Sequence, residues 1–260
     1  MPAKSFALLA IAIGLLVTVP VHANHAWSSY HWARTANPFT LQLGDNVSSA
    51  WDASLALSSA DWSISGVLDT EVVAGATNPK TCKPILGRVE VCNSKYGANG
   101  WLGIASIWIS GSHITQGTVK MNDTYFQTAK YDTDAWRNLV MCQEIGHTLG
   151  LDHQDEDFEN GSLGTCMDYS NDAEPNQHPN AHDYQMLEEI YGHLDSTTTV
   201  GVAPPSPSPR GKGKKGIDQD DPSAWGRAIK HSVDGRASLY VKDLGNGNKV
   251  FTHVFWAEQR

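Results

Sequence analysis

The sequence predicts an α+β fold in which a mixed β-sheet packs against helices, and two patterns indicate this class. Segments that are β-rich, or that alternate apolar and polar residues, are typical of strands, and they lie at residues 38–45, 67–73, 101–110 and 114–122. Segments with helical character lie at residues 47–62, 133–149 and 180–193. Because strands and helices are interspersed along the chain, we expect one sheet with helices packed on it.

Boundary signals support the two later helices. Thr133 or Asp132 can cap the first of them, since either side chain can accept a backbone N–H, and Gly150 is placed to end it. Asn180 and Asp183 have the spacing of a capping box at the start of the second. We therefore expect both helices to begin and end close to these residues.

The composition allows one catalytic-size core and an appendage. The chain has 260 residues, of which 40% are hydrophobic and 18% are charged, and its formal net charge is -9. Nucleic-acid recognition normally needs a clustered basic surface, so the charge argues against a nucleic-acid partner.

Residues 1–23 have the pattern of a secretory signal peptide. One cation precedes an apolar run over 6–19, Pro20 closes the run, and small-residue spacing that ends at Ala23 fits a cleavage site. A transmembrane anchor is the competing interpretation, but the run is short for a membrane span. We expect a mature chain that is secreted, either periplasmic or extracellular, and that has no membrane association after cleavage.

Four cysteines, Cys82, Cys92, Cys142 and Cys166, remain after that cleavage. Oxidising conditions favour their pairing, and three connectivities are possible. The short separation favours Cys82 with Cys92, which leaves Cys142 with Cys166. A zinc cluster of four thiolates is the alternative, but the paired Cys-x-x-Cys spacing that it usually needs is absent.

The last part of the chain differs in composition from the rest. Residues 196–222 are rich in Pro, Ser, Gly and charge without periodicity, which is typical of a linker. Residues 223–260 contain two strand-like halves around a Gly-Asn-Gly-Asn run at 245–248, a strong hairpin signal. We expect a catalytic domain over 24–195, with the hairpin docked on it or paired with another chain, because a lone hairpin is marginally stable.

The densest chemical pattern lies on and just after the first of the two later helices. Gln143 and His147 are one helical turn apart on one face, so both side chains can reach one ion. Gly150 lets the chain leave the helix, and His153 can then approach from a third direction. Zinc in hydrolases takes three protein ligands and keeps a fourth position for water, whose pKa falls to about 7. Glu144 would accept the proton of that water and pass it to the leaving amine.

This pattern resembles the metzincin metallopeptidases, whose signature is His-Glu-x-x-His-x-x-Gly-x-x-His followed by a methionine turn. The match falls on Glu144, His147, Gly150 and His153, and Met167 matches the methionine of the turn. The agreement is specific because several independent positions are in register.

Tyr169 stands two residues after that methionine, as in the astacin and serralysin branches, whereas the residues before the helix look more like the matrixin branch. The resemblance covers about residues 38–194 and implies a twisted mixed sheet, an active-site helix and a Met-turn subdomain. It implies a zinc-dependent endopeptidase that hydrolyses peptide or protein substrates, with Glu144 as general base and Tyr169 as oxyanion stabiliser. An extended peptide could bind by adding to an edge strand, either 101–110 or its neighbour.

The sequence departs from the signature at Gln143, where the family has its first zinc-binding histidine. An amide oxygen suits zinc less well than imidazole does, so metal affinity should fall. Gln143 could ligate zinc through its oxygen, or another histidine could supply the nitrogen. In the third alternative the chain is a catalytically inactive, secreted protein that binds a peptide or partner. The candidate histidines are His178, His182 and His113, whereas His231 and His253 in the tail are expected on the surface.

An acidic run offers oxygen ligands for a structural Ca2+ ion, although such runs are more often solvated loops. Its members are Asp152, Asp155, Glu156, Asp157 and Glu159. No prodomain with a cysteine switch is visible between the predicted signal and the first strand.

Overall fold

The structure is a computed structural model that describes residues 25–202 and 217–258. The predicted signal peptide at 1–23 and the middle of the predicted linker lie outside the described residues. Among the residues that are described, no helix is both long and apolar enough to cross a membrane.

In the described chain, nine strands form one sheet. In chain order they are β1 (His31–Trp32), β2 (Phe39–Asn46), β3 (Leu68–Ala74), β4 (Val89–Ser94), β5 (Trp101–Ser110), β6 (His113–Asn122), β7 (Arg227–His231), β8 (Ala237–Gly245) and β9 (Asn248–Trp256). The order across the sheet is β3-β2-β4-β6-β5-β9-β8-β7, and β1 pairs with the start of β6. The pairs from β3 to β6 are parallel, and those from β6 through β5 to β7 are antiparallel. The predicted α+β class with a mixed sheet is confirmed.

The α-helices of the described chain all come before β7 in chain order. They are α1 (Asp52–Trp62), α2 (Asp123–Phe126), α3 (Asp134–Thr148) and α4 (Ala181–Ile190). Helix α1 begins five residues later than expected, because the backbone N–H of Ser48 donates to Asn93 of β4 (2.6 Å) instead of entering a helix. Strand β4 was not predicted, and it lies between the two parallel neighbours β2 and β6.

The caps of α3 and α4 are those that the sequence predicts. The Thr133 side chain accepts from the N–H of Trp136, and Gly150 leaves α3 with a φ of 101°, where side chains are strained. Asn180 and Asp183 form a reciprocal capping box at the start of α4. Local side-chain chemistry therefore sets the ends of both helices.

The C-terminal segment is larger and more integrated than a lone hairpin. Strand β7 adds a third strand to β8 and β9, and β9 pairs antiparallel with β5 along almost its whole length. The expectation that 101–110 forms a free edge strand is wrong, because β5 lies between β6 and β9. The backbone groups along the side of β5 that an extended peptide would use are already paired with β9.

Buried indoles hold the C-terminal half of α3, which packs on α1, β5 and β6. Carbonyls in the last turn of a helix have no partner within the helix, and here tryptophans from outside α3 supply two of the donors. A third indole binds a carbonyl farther up the helix. The bonds run from Trp62 to Cys142 (3.1 Å), from Trp27 to His147 (3.1 Å) and from Trp32 to Thr148 (2.9 Å).

A substitution at Gly146 can test this packing, because an added Cβ would lie 2.5 Å from the Met167 sulfur and 2.7 Å from the Trp62 ring. In an open helix, Gly→Ala stabilises by about 1 kcal/mol. We expect Gly146→Ala instead to lower the free energy of unfolding by about 1–3 kcal/mol through overpacking, measured by urea denaturation. The control is Gly161→Ala, where the added Cβ meets nothing within 4 Å. Equal or greater stability of Gly146→Ala would contradict the packing described.

Candidate active site

Four predicted site residues converge around the C-terminal half of α3. Gln143, Glu144 and His147 lie on α3 with no exposed surface, and His153 follows the Gly150 turn with 3% exposed. Burial of this many polar groups at one place is unusual for a soluble domain. Each of these buried polar atoms therefore needs a partner that offsets the loss of water.

The two imidazoles face each other through their Nε2 atoms, which are 3.0 Å apart. The Nδ1 atom of His147 lies 2.9 Å from the carbonyl of Leu151, and that of His153 lies 3.0 Å from a carboxylate oxygen of Glu156. Since both partners are acceptors, each Nδ1 carries a proton, and in the neutral form of each ring Nε2 presents a lone pair. Burial holds the pKa of His147 well below its ordinary value, and the neighbouring His253 and His153 lower this pKa further.

Two lone pairs at this distance repel unless a positive centre lies between them. Nitrogen ligands of a tetrahedral zinc ion, each about 2.1 Å from the metal, are about 3.4 Å apart. The Nε2 atoms of His147 and His153, 3.0 Å apart, are somewhat closer than that and near enough for both to reach one metal ion. The outward hydrogen bonds of their Nδ1 atoms are the orienting contacts that metal-ligating histidines usually have.

The nitrogen and the oxygen of the Gln143 amide have different surroundings. Its nitrogen donates to the carbonyls of Cys166 (2.7 Å) and Asp168 (3.1 Å), on either side of Met167. This assignment follows from the two acceptors, since oxygen could not serve there. The Gln143 oxygen is buried and has no hydrogen-bond partner in the described chain, so it is the atom left free to act as a metal ligand.

Glu144 is a fully buried carboxyl group whose two oxygens also lack hydrogen-bond partners among the described residues. Burial raises its pKa well above the ordinary value, because desolvation penalises the charged form, and the nearby backbone N–H of Phe255 offsets this in part without meeting the geometry of a hydrogen bond. Strand β5 crosses directly over the group, since a Cβ on Gly103 would lie 2.8 Å from a Glu144 oxygen.

The predicted Met-turn lies beneath α3. The structure contains the disulfides Cys82–Cys92 and Cys142–Cys166, and the second joins α3 to the residue before Met167. Met167 is fully buried and faces Gly146 of α3. This covalent tie fixes the Met-turn relative to Gln143 and Glu144.

Tyr169 lies beside the imidazole pair, with its ring centroid 4.0 Å from that of His153. Its hydroxyl donates a hydrogen bond to the backbone carbonyl of Val254 in β9. Burial raises the pKa of this phenol well above its ordinary value, so the group remains a proton-bearing donor. In this structure that donor is engaged by the C-terminal segment.

His253 of β9 is the site residue that the sequence analysis missed. Its ring stacks on that of His147 with centroids 4.0 Å apart, and it has no exposed surface, so the expectation of a surface position is wrong. Neither ring nitrogen has a hydrogen-bond partner in the described chain, and burial lowers the pKa of His253 to about 3. The signal was the apolar run around it at 250–256, which is typical of a strand buried on both faces.

The three histidines proposed as substitute ligands lie elsewhere. The ring of His178 is exposed and pairs with Asp61 (2.7 Å), and the ring of His182 contacts that of His25 in a tilted arrangement with centroids 4.7 Å apart. His113 lies near His31 at the start of β6. None of the three faces the pair formed by His147 and His153.

The acidic run next to His153 is engaged by a cation of the chain itself. Lys230 of β7 contacts Asp152 (2.9 Å) and Glu156 (2.8 Å), and Ser238 of β8 also donates to Glu156. Asp152, His153 and Glu156 could in principle hold a metal together, but Lys230 already balances the two carboxylates. A calcium ion at the run stays a prediction.

Comparisons with known proteins find solved structures that are similar to this chain. No protein-family model matches it, and no curated protein matches it. It is similar to myroilysin, with 13% identity and a TM-score of 0.38 over 61% of this chain and 82% of that chain. It is also similar to high choriolytic enzyme 1, a hatching enzyme zinc-protease from the medaka fish Oryzias latipes, with 11% identity and a TM-score of 0.35 over 64% of this chain and 96% of that one.

Proposed function

We propose that this chain is a secreted, zinc-dependent endopeptidase whose cleft is closed by its own C-terminal strands. The observation that supports it best is the facing pair of imidazole Nε2 lone pairs beside a buried carboxyl group without a partner. Metal-assisted hydrolysis needs this combination of ligands and a general base. The resemblance of the signature to metzincins and the two disulfides, which fit an exported chain, add support.

His147 and His153 would hold the metal through Nε2, and Gln143 would complete the set through its free oxygen. Three protein ligands leave a fourth position for water, and a bound Zn2+ supplies the lowered pKa of that water and polarises the substrate carbonyl. The amide oxygen is a weaker donor to zinc than a third imidazole. We therefore infer a site that binds zinc less tightly than one with three histidines.

Glu144 is suited to act as general base once water enters the cleft. In the closed state its burial favours the protonated form, and hydration would restore the carboxylate. That carboxylate would take a proton from the attacking water and deliver it to the leaving amine. The hydroxyl of Tyr169, once released from the Val254 carbonyl, would be free to donate to the developing oxyanion.

The register of β9 suggests how a substrate would bind. Strand β9 lies antiparallel to β5, with Val254 opposite Ile104, and its residues contact Glu144, His147 and Tyr169. An extended peptide adds to a sheet in the same way, through backbone hydrogen bonds. We infer that a peptide substrate takes the place of β9 and that the C-terminal strands must move away before turnover.

A catalytically inactive binding protein is the alternative function, and the geometry favours it less. Both functions need the groove that β9 fills, so Glu144 is the feature that separates them. A binding protein would have no use for Glu144, whose burial without a hydrogen-bond partner costs about 1–3 kcal/mol or more. A general base explains why a carboxyl group occupies this position.

Metal content is the first test. Purified mature protein should contain zinc by elemental analysis, Gln143→His should retain it against a higher concentration of chelator, and His147→Ala should lose the zinc of this site. The matched control is His178→Ala, whose exposed ring lies outside the pair. Zinc that persists at this site in His147→Ala would show that the imidazole pair is not the metal centre.

Turnover is the second test. Glu144→Gln keeps the shape of the side chain and removes the base, so cleavage of a quenched fluorescent peptide library should fall by about 10²–10⁴-fold while zinc content is unchanged. The control is Glu188→Gln on the surface of α4. Equal cleavage by wild type and Glu144→Gln would rule out the proposed mechanism, and zinc binding without any cleavage would favour the binding protein.

A covalent lock tests whether the C-terminal strands must move. Ser106 of β5 and Thr252 of β9 are in register with side-chain oxygens 3.4 Å apart, which suits a disulfide between cysteines at these positions. We expect Ser106→Cys/Thr252→Cys to retain zinc and to lose turnover relative to each single variant. Full turnover in the oxidised double variant would mean that substrate reaches the site without displacement of β9.

A further inference from the structure

A second group of histidines surrounds one carboxylate oxygen in another part of the fold. The Nε2 atoms of His31, His113 and His193 lie 3.4, 3.3 and 3.8 Å from Oδ1 of Asp195, and those of His31 and His193 are 3.2 Å apart. Ligand atoms of a tetrahedral zinc ion are about 3.4 Å from one another. His31, His113 and Asp195 each offer one ligand atom within 4.8 Å of the others, and His193 lies beside His31 and Asp195 as a fourth candidate ligand.

The fold brings these residues together from three separate segments. The parallel pairing of β1 with β6 places His31 directly beside His113. His193 and Asp195 come from the segment that follows α4, and the Asp195 N–H donates to the Arg34 carbonyl (2.9 Å). The group thus joins the first strand, the β5–β6 turn and the end of the last helix.

The surrounding contacts orient the carboxylate and one imidazole. Oδ2 of Asp195 accepts from the backbone N–H (3.2 Å) and the guanidinium (2.8 Å) of Arg34, whose side chain is buried, and Oδ1 faces the three rings. Nδ1 of His31 lies 2.7 Å from the Ser29 carbonyl, so it carries the proton and leaves Nε2 as a lone pair. Metal sites depend on this kind of outer support.

An ordinary ion-pair network is the competing explanation, and the charges argue against its fully protonated form. Three imidazolium rings would repel one another and Arg34, and a single carboxylate would have to balance all four cations. Neutral imidazoles avoid this repulsion and could share hydrogen bonds within the group, with Nε2 of His193 donating to Nε2 of His31. A divalent cation at the centre would instead be bound by all four residues, and the zinc content of the variants below separates the two explanations.

We propose that His31, His113, His193 and Asp195 bind a structural Zn2+ ion. Imidazole nitrogens with one carboxylate suit zinc, whereas calcium and magnesium prefer oxygen ligands throughout. Four protein ligands complete a tetrahedron and leave no position for a reacting water, which is typical of structural zinc. The ion would tie β1 to the segment after α4, and it is independent of the proposed active-site metal.

The test measures the zinc content of the full mature chain, because the two sites are removed by different substitutions. His113→Ala/His193→Ala changes two partly or largely exposed side chains, so the chain should fold. It should contain about one zinc per chain less than wild type, whatever the occupancy of the active site. His147→Ala should not remove this ion, and His178→Ala serves as the control.

Thermal unfolding gives a second readout besides metal content. Metal bound to the native state alone raises stability, so added Zn2+ should raise the Tm of metal-stripped His147→Ala and should not raise that of His147→Ala/His113→Ala/His193→Ala. Cobalt in place of zinc should give the visible absorption of a tetrahedral site in the first chain and lose it in the second. Equal zinc content in wild type and His113→Ala/His193→Ala would overturn the proposal. Loss of all bound zinc in His147→Ala would also overturn it, because the only ion would then belong to the proposed active site.

Discussion

The arrangement of the candidate site depends on how the buried end of α3 is held. The last carbonyls of a helix need donors, and in an apolar core water is not at hand to supply them. Here the indoles of Trp27 and Trp32 donate to the last turn, and that of Trp62 donates one turn earlier. Because these donors come from outside the helix, α3 can neither rotate nor slide without breaking several of them. The directions of Gln143 and His147 follow from that constraint.

The closed site concentrates unsatisfied polar atoms in a fully buried part of the fold. Gln143, Glu144 and His253 each keep a buried polar atom without a hydrogen bond in the described chain, and such atoms lower stability. The indole bonds, the Cys142–Cys166 disulfide and the pairing of β5 with β9 offset that cost. Functional sites characteristically contain such unfavourable groups, and the rest of the fold offsets the stability that they cost.

Local chemistry in the sequence was sufficient for much of the fold. Caps and turns depend on neighbouring residues, so Thr133, the Asn180–Asp183 box and the turn at 245–248 could be identified directly. The spacing of Gln143 and His147 likewise fixes a shared helix face. These features need no knowledge of which distant segments meet.

Contacts between distant segments were beyond the sequence patterns. His253 reaches His147 because β9 pairs with β5, and His31 reaches His113 because β1 pairs with β6. Sheet register decides both contacts, and a hydrophobic pattern does not specify which strand is the neighbour. For the same reason β5 was expected at an edge, and the start of α1 was misplaced because Ser48 binds a residue of β4.

The pairing of β9 with β5 also decides which strand the molecule presents to other chains. Without it, β5 would be an exposed edge that is apolar on both faces, a template for intermolecular sheet growth. With it, the outermost strands are β7, which carries Arg227 and Lys230, and β3, which carries Asp69 and Glu71. Charged edge strands resist the addition of further strands. The strands β7 to β9 therefore also cover the apolar edge through which the sheet could otherwise grow between molecules.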